Sequence, residues 1–378
     1  MSDALAPRPG IVLSDDQRIA WLRLIRSENV GPATFRDLIN HFGTASNAFD
    51  ALPDLASKGR AGKRIRVASQ QEAEAELARL AKIGGRTICL GEPDYPTALR
   101  AADASPPVLS LIGSSKILTR DAIAFVGSRN ASLSGIKFTR QLASDVAKAG
   151  YATVSGFARG IDSAAHEASL ESGTVAVFAG GVDHIYPPEN EDLGRKIIDA
   201  GGALISEMPF GWQPRAQEFP RRNRIVAGMA LGLVVVEAAK RSGSLISARL
   251  ANEMGRVVFA VPGSPLDPRS EGTNHLIRDG ATLITKAADI IEAIEPISSD
   301  AQQTAYSLEE GQDDLEIGPE STQSDRDKLL GALDHTPTDI DEILRFTGLG
   351  AAQLQMLLLE LDLAGRLERH PGNRVSLQ

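Results

Sequence analysis

Between residues 122 and 285 the chain repeats one alternation. Short, continuous apolar runs occur at Ala122–Val126, Tyr151–Ser155, Thr174–Ala179, Ala203–Ile205, Leu233–Val236, Val257–Val261 and Thr282–Ile284, with amphipathic stretches between them. After the first run, Phe138, Leu142 and Val146 recur at helical spacing. Continuous rather than alternating apolar runs fit strands of a sheet covered on both faces. The alternation of strand and helix predicts an α/β fold with a doubly wound, mostly parallel sheet. The flanks read differently. From Asp15 to Leu80 the periodicity is helical throughout, whereas 299–320 is polar and nearly without period, as in a linker. Helical and hairpin signals return after it. The predicted division is a helical domain over 1–85, the α/β domain over 86–298, an acidic flexible linker over 299–320 and a small domain over 321–378.

Composition sharpens this picture at four points. The single cysteine, Cys89, forbids an intrachain disulfide and suits a reducing cytosol. The longest uncharged apolar stretch, Ile225–Val236, stops at Glu237, well short of the roughly 20 residues a membrane helix needs. Met1–Gly10 lacks the apolar centre of a signal peptide. The expectation is a cytoplasmic protein that does not cross a membrane. The formal charge of −9 argues at first against a nucleic-acid partner. However, Asp300, Glu309, Glu310, Asp313, Asp314, Glu316 and Glu320 all fall in the 299–320 segment, which has no Lys or Arg. The rest of the chain is near neutral, so a local basic patch remains open.

Glycine turns at strand ends carry the first chemical signal. The first run ends in Val126-Gly127-Ser128-Arg129, with a helix following Ser134-Gly135. The second ends in Ser155-Gly156-Phe157-Ala158-Arg159-Gly160, and a third turn, Arg241-Ser242-Gly243-Ser244, opens another helix. In open parallel sheets ligands sit beyond the carboxyl ends of the strands. Glycine lets backbone approach a phosphate, and a helix N-terminus offers free N–H groups. Each turn read alone is as well explained by chain reversal; the three together, each with an arginine, favour an anion surface. None is a P-loop or a dinucleotide G-x-G-x-x-G fingerprint, which argues against an NTPase and an NAD enzyme. Metal-ligand spacing is absent as well, so no cofactor is expected.

The densest positive segment is Phe219-Pro220-Arg221-Arg222-Asn223-Arg224. Proline suits a first helical turn, and Arg221 and Arg224 would then share a face. Phe219 beside them could stack on a base, as single strands are commonly held; Phe210 and Trp212 stand upstream as further candidates. The competing reading buries Phe219 and pairs the arginines with Glu207 or Glu218. For Phe219 alone the two readings weigh the same. For three arginines phosphate contact is favoured.

Taken in order, VGSRNASLSG (126–135), SGFARGIDSAAH (155–166), FPRRNRIVAG (219–228), RSGSLISARLANEMGRVVFAVPG (241–263) and GTNHLIRDGA (272–281) resemble the DNA-processing protein A (DprA/Smf) family. The resemblance implies an extended Rossmann-like domain that binds single-stranded DNA without sequence preference. It also implies a role in natural transformation, protection of incoming strands, loading of the RecA recombinase, and a homodimer formed through this domain. Carried over residue by residue, it assigns DNA contact to Arg129, Arg159, Phe219, Arg222, Asn223 and Arg224. With Gly127, Ser128, Gly156, Arg221, Gly243 and Ser244 from the turns and the basic cluster, these form the candidate site. One departure is Tyr186-Pro187-Pro188-Glu189-Asn190, where some relatives carry a lysine; Glu189 there opposes a phosphate contact.

The flanks add less. Asn29-Val30-Gly31-Pro32 between helical patterns resembles a helix–hairpin–helix or SAM-like module, with simple helix packing the preferred reading. Lys58, Arg60, Lys63, Arg64 and Arg66 form a basic run that is more often a solvated surface. Thr338–Thr347, Ala351–Ala364 and a hairpin at Pro371-Gly372-Asn373 resemble a winged helix. Its would-be reading helix has no Lys or Arg and carries Glu360 and Asp362, so a protein-interaction role is expected ahead of DNA contact through Arg366, Arg369 and Arg374. The enzyme alternative is a nucleoside monophosphate phosphoribohydrolase-like hydrolase using Asp162 and His166 at i and i+4, with Ser163, His184 and Glu207 in reserve. A lone helical histidine is more often structural.

Overall fold

The computed structural model describes residues 12–59, 65–102, 105–300, 322–370 and 372–378. Met1–Gly10, Arg60, Lys63, Arg64, Pro371 and all but the first two residues of the predicted 299–320 linker lie outside them. The chain divides into two compact units. One contains Met1–Val12 and Glu76–Ser307, the other Leu13–Ala75 and Leu308–Gln378.

The N-terminal helices are α1 (Asp15–Ile25), α2 (Pro32–Phe42), α3 (Ala45–Gly59) and α4 (Gln70–Lys82). Ser14 and Gln17 close a capping box on α1, satisfying two otherwise orphaned N–H donors. Asn29 takes a left-handed φ of 62° in the turn before α2, and Pro32 opens that helix without losing a hydrogen bond. Trp21 and Phe35 meet edge to face at 5.0 Å in the core of these helices, both fully buried.

The central unit is built on nine strands, β1 (Gly85–Cys89), β2 (Val108–Gly113), β3 (Ala122–Val126), β4 (Ala152–Ser155), β5 (Thr174–Val177), β6 (Ala203–Ser206), β7 (Gly232–Val235), β8 (Val257–Ala260) and β9 (Thr282–Leu283). Their spatial order is β1-β2-β6-β5-β4-β3-β7-β8-β9. From β6 to β9 every pairing is parallel, while β2 runs antiparallel to β6, and β1 antiparallel to β2. The seven strands read from apolar runs are therefore the parallel part. The sequence reading missed the antiparallel edge, where Ser105-Pro106-Pro107 reads as a loop and hides the start of β2.

The helices of this unit are α5 (Thr97–Arg100), α6 (Leu133–Lys148), α7 (Ile161–Ala168), α8 (Glu191–Asp199), α9 (Glu218–Gly228), α10 (Gly243–Glu253), α11 (Glu271–Arg278) and α12 (Ala287–Asp300). Two apolar clusters cover the sheet. One packs Phe125, Leu142, Val146, Phe259 and Ile290; the other packs Phe157, Phe178, Ile197 and Leu204. Two-sided burial explains the continuous apolar strands.

The C-terminal part consists of α13 (Gln323–Ala332), β10 (Thr338–Asp339), α14 (Ile340–Thr347), α15 (Ala351–Leu363), β11 (Leu367–His370) and β12 (Arg374–Leu377). Its strands order as β10-β12-β11, all antiparallel, and its core is a leucine cluster centred on α15. This is a winged helix. Gly372 and Asn373 both have positive φ in the turn between the last two strands.

Candidate functional site

The chain leaves β3 in one direction through β4, β5 and β6, and then returns to the other side of β3 with β7. Beyond the carboxyl ends of β4, β3 and β7 this reversal opens a crevice, the usual ligand position in a doubly wound sheet. A groove of about 540 Å³ lies there. The turn after β3 brings Gly127, Ser128 and Arg129 to it, the turn after β4 brings Gly156, and the approach to α10 brings Arg241, Ser242, Gly243 and Ser244. Phe219, Arg222 and Asn223 of α9 line it as well. A smaller hollow of about 190 Å³ shares Arg129, Gly156 and Phe219 and extends to Arg159, Tyr186 and Glu189. Of the twelve predicted residues only Arg221 and Arg224 line neither.

The glycines of the first two turns are sterically required. A Cβ at Gly127 would stand 2.6 Å from Ile161, and one at Gly156 2.6 Å from the Arg222 guanidinium. Gly160 has φ +78°, and a Cβ there would lie 2.3 Å from the Ser128 carbonyl, so the first two turns pack directly on each other. Phe157, next to Gly156, also has positive φ, at 60°. Its strain is held by packing on Phe178 at 5.0 Å and by the Asn190 amide, which donates to its carbonyl at 2.8 Å. Asn190 thus anchors the Tyr186–Asn190 turn under the groove, a role the sequence reading did not assign to it although it singled out that turn.

The three helix starts are not equivalent. At α6 the carboxylate of Glu237 already receives the Ser132 N–H at 2.9 Å and the Ser132 hydroxyl. At α7 Asp162 lies in the first turn and accepts from Ala158 N–H at 3.2 Å. The expectation that every turn presents a vacant helix N-terminus to phosphate is therefore corrected: two are occupied by the protein's own acids. The first turn of α10 carries no acid, and the space beside Gly243 is open. Ser242 caps it, its hydroxyl accepting from Ser244 N–H at 3.3 Å. This end keeps the positive pole of its dipole facing the groove.

The arginines divide in the same way. Arg129 is exposed and its guanidinium sits 5.3 Å from the centre of the Phe219 ring. Phe219 in turn meets the exposed Tyr186 edge-on at 5.7 Å. Arg159 is exposed beside Tyr186 in the smaller hollow. Arg222, by contrast, is buried: its Nη1 donates to the carbonyls of Gly156 and Val177, and its Nε to Asn223 at 3.3 Å. Burial pulls its pKa down to about 10, opposed by the nearby Asp162. Burial likewise pushes the Asp162 carboxyl up, opposed first by Arg222. Arg221 and Arg224 both reach Glu207, Arg221 at 3.2 Å, which is the pairing the competing sequence reading described. The cluster thus divides, with Arg222 bracing the turn from beneath and Arg221 and Arg224 engaged by Glu207.

The candidate acid–base pair is not assembled. His166 has no exposed surface; burial, and then Arg222, lower its pKa to about 3. Thr174 donates to Thr153 O at 3.1 Å, so it accepts from His166 Nδ1, at 2.7 Å. His184 pairs with Asp183 and Glu207 with the arginines. Among the described residues no group of three His, Cys, Asp or Glu is arranged to hold a metal.

Residues 86–295 match the protein family described as DNA recombination-mediator protein A, more than half of the chain. The chain belongs to that family. Residues 15–78 match the N-terminal helix–hairpin–helix domain of DprA-like proteins, and 317–373 the DprA winged helix domain. Protein Smf of Escherichia coli (strain K12) is 34% identical, covering 95% of each chain. The crystal structure of DNA processing protein A from Streptococcus pneumoniae superposes with a TM-score of 0.61 at 34% identity, covering 74% of this chain and 98% of that one. A structure of the Helicobacter pylori protein, described for its single-stranded DNA binding mode, superposes at 0.51 and 29% identity, covering 56% of this chain and 96% of that one. The recombination-mediator family thus accounts for all three parts of this chain. No helix among the described residues is long and apolar enough to cross a membrane.

Proposed function

We propose that this recombination mediator holds single-stranded DNA, without sequence readout, in the groove beyond β4, β3 and β7. The carrying observation is the juxtaposition of Arg129, Phe219 and the acid-free start of α10 on one surface. Arg129 supplies a phosphate fork, Phe219 and Tyr186 an aromatic platform for bases, and Ser242-Gly243-Ser244 backbone donors for a second phosphate. Arg159 extends the track past the smaller hollow. Gly127 and Gly156 let the strand come close to the backbone. Arg222 acts from behind, by fixing the Gly156 turn.

The single-stranded DNA binding mode of the Helicobacter pylori relative supports this ligand, and membership of the recombination-mediator family supports a place in recombination. On the same reading the protein acts in the cytoplasm during DNA uptake, shields incoming strands, hands them to the RecA recombinase and works as a homodimer. Two grooves in one dimer would raise avidity through effective concentration. The burial of His166, which has no exposed surface, supports binding over catalysis as the function of this groove.

The test is anisotropy of a labelled oligo-dT, with a matching duplex as competitor, at two salt concentrations. Arg129→Ala and Phe219→Ala should each weaken single-strand binding by roughly ten- to a hundredfold, and Arg129→Ala should also flatten the salt dependence, since one phosphate contact fewer releases fewer counterions. Equal affinity for duplex, or binding indifferent to both substitutions, would overturn the reading.

A further inference from the structure

A winged helix that reads DNA lays its second helix in the major groove. Here that helix is α15, and its surface is already occupied. Leu354, Leu357, Leu358 and Leu361 belong to the winged-helix core, whereas Leu359 and Leu363 are equally buried and stand outside that cluster. α15 packs against α2 and α3, within the same compact unit. The polar groups at this contact are paired across it. Asp362 accepts from the Thr34 hydroxyl of α2 at 2.9 Å and from Arg369 Nε at 2.9 Å. Arg369 Nη2 continues to Asp37 of α2 at 2.6 Å. Asn29, in the turn before α2, donates to the Leu363 carbonyl at the end of α15 at 2.8 Å.

We infer that the partner of the C-terminal winged helix is the N-terminal helical module of the same chain, with α15 as a core element shared by both. The absence of Lys and Arg from α15 then has a cause. Its outer face must meet apolar helices, and Asp362, mostly buried on that helix, is the anchor for Arg369. Leucine burial supplies attraction without direction, and the Thr34–Asp362–Arg369–Asp37 lattice fixes orientation. Helices α1 to α3 and the C-terminal winged helix therefore fold as one body, and the sequence between them is an insertion into it. This goes beyond strand binding by the groove and does not depend on it, because none of these residues lines the groove.

Hydrogen exchange of the full-length protein, read by mass spectrometry, tests the inference. Arg369→Asp places three acids together and should speed exchange in α2 and α3 by at least about tenfold, the scale of an interior ion pair losing its partner. Strands β3 to β8 should keep their protection. The reversed pair Asp37→Arg with Arg369→Asp should restore α2 and α3 to within about twofold of wild type. Unchanged exchange in α2 and α3 with Arg369→Asp, or no restoration in the double variant, would overturn it.

Discussion

Three arginines within four positions do two different things here, and helical phase decides which. Arg222 points inward and joins the carbonyls of Gly156 and Val177, while Arg221 and Arg224 turn to Glu207. Arg129, far away in sequence, is the exposed one that faces Phe219. Stability and binding should therefore separate. Arg222→Ala would leave two buried carbonyls without a donor and Asp162 without its countercharge, a loss on the order of 3–5 kcal/mol. Arg129→Ala, at an exposed position, should stay within about 0.5 kcal/mol of wild type. Urea midpoints at constant m-value read both. An Arg222→Ala variant as stable as wild type would mean that the guanidinium is not the brace beneath the turn. The residue types and their neighbourhood were visible in the sequence; which arginine is buried was not, because that depends on carbonyls 45 and 66 residues away.

At the level of elements, the glycine turns were legible because glycine itself marks where the backbone must bend or approach closely. The electrostatic state of the helices behind them was not legible. Glu237 reaches Ser132 across 105 residues and fills the start of α6 with a negative charge, and nothing near Ser132 announces it. The antiparallel edge strands were missed for a related reason, since β2 pairs with β6, nearly a hundred residues later in the chain. The distinction between occupied and open helix starts yields a prediction. Gly243 has open space where a Cβ would go and an ordinary φ, so Gly243→Ala should leave stability unchanged or raise it by about 0.4–1 kcal/mol. If phosphate is held on the α10 amides, the added methyl should still lower oligo-dT affinity by about tenfold, the weight of one displaced charge-assisted contact. Gly160→Ala should behave in the opposite way and destabilise the fold, because φ is +78° and the Ser128 carbonyl leaves no room. Full affinity in Gly243→Ala would move the phosphate site away from α10.

The whole molecule carries a charge of −9 and yet presents an arginine-lined groove, because the acids are concentrated elsewhere in the sequence. Its response to acid should be governed in part from beneath that groove. His166, packed on Phe157 at 5.7 Å and donating to Thr174, is held neutral with a pKa of about 3. In the unfolded chain the same side chain titrates near its ordinary value of about 6.5. As pH falls the unfolded state takes up this proton first, so the contribution of His166 is complete above about pH 6.5 and is lost progressively toward pH 3. Between pH 7 and 5 this amounts to about 2 kcal/mol. Asp162, whose carboxyl is pushed up by burial, works in the opposite direction, binding its proton more readily when folded. The difference between wild type and His166→Gln isolates the histidine. The variant should start lower at pH 7, because the replacement does not fill the space of the ring, and should then lose about 2 kcal/mol less on going to pH 5. Parallel pH profiles for the two proteins would show that His166 can take up a proton in the folded state, and would reopen the acid–base role that its burial argues against.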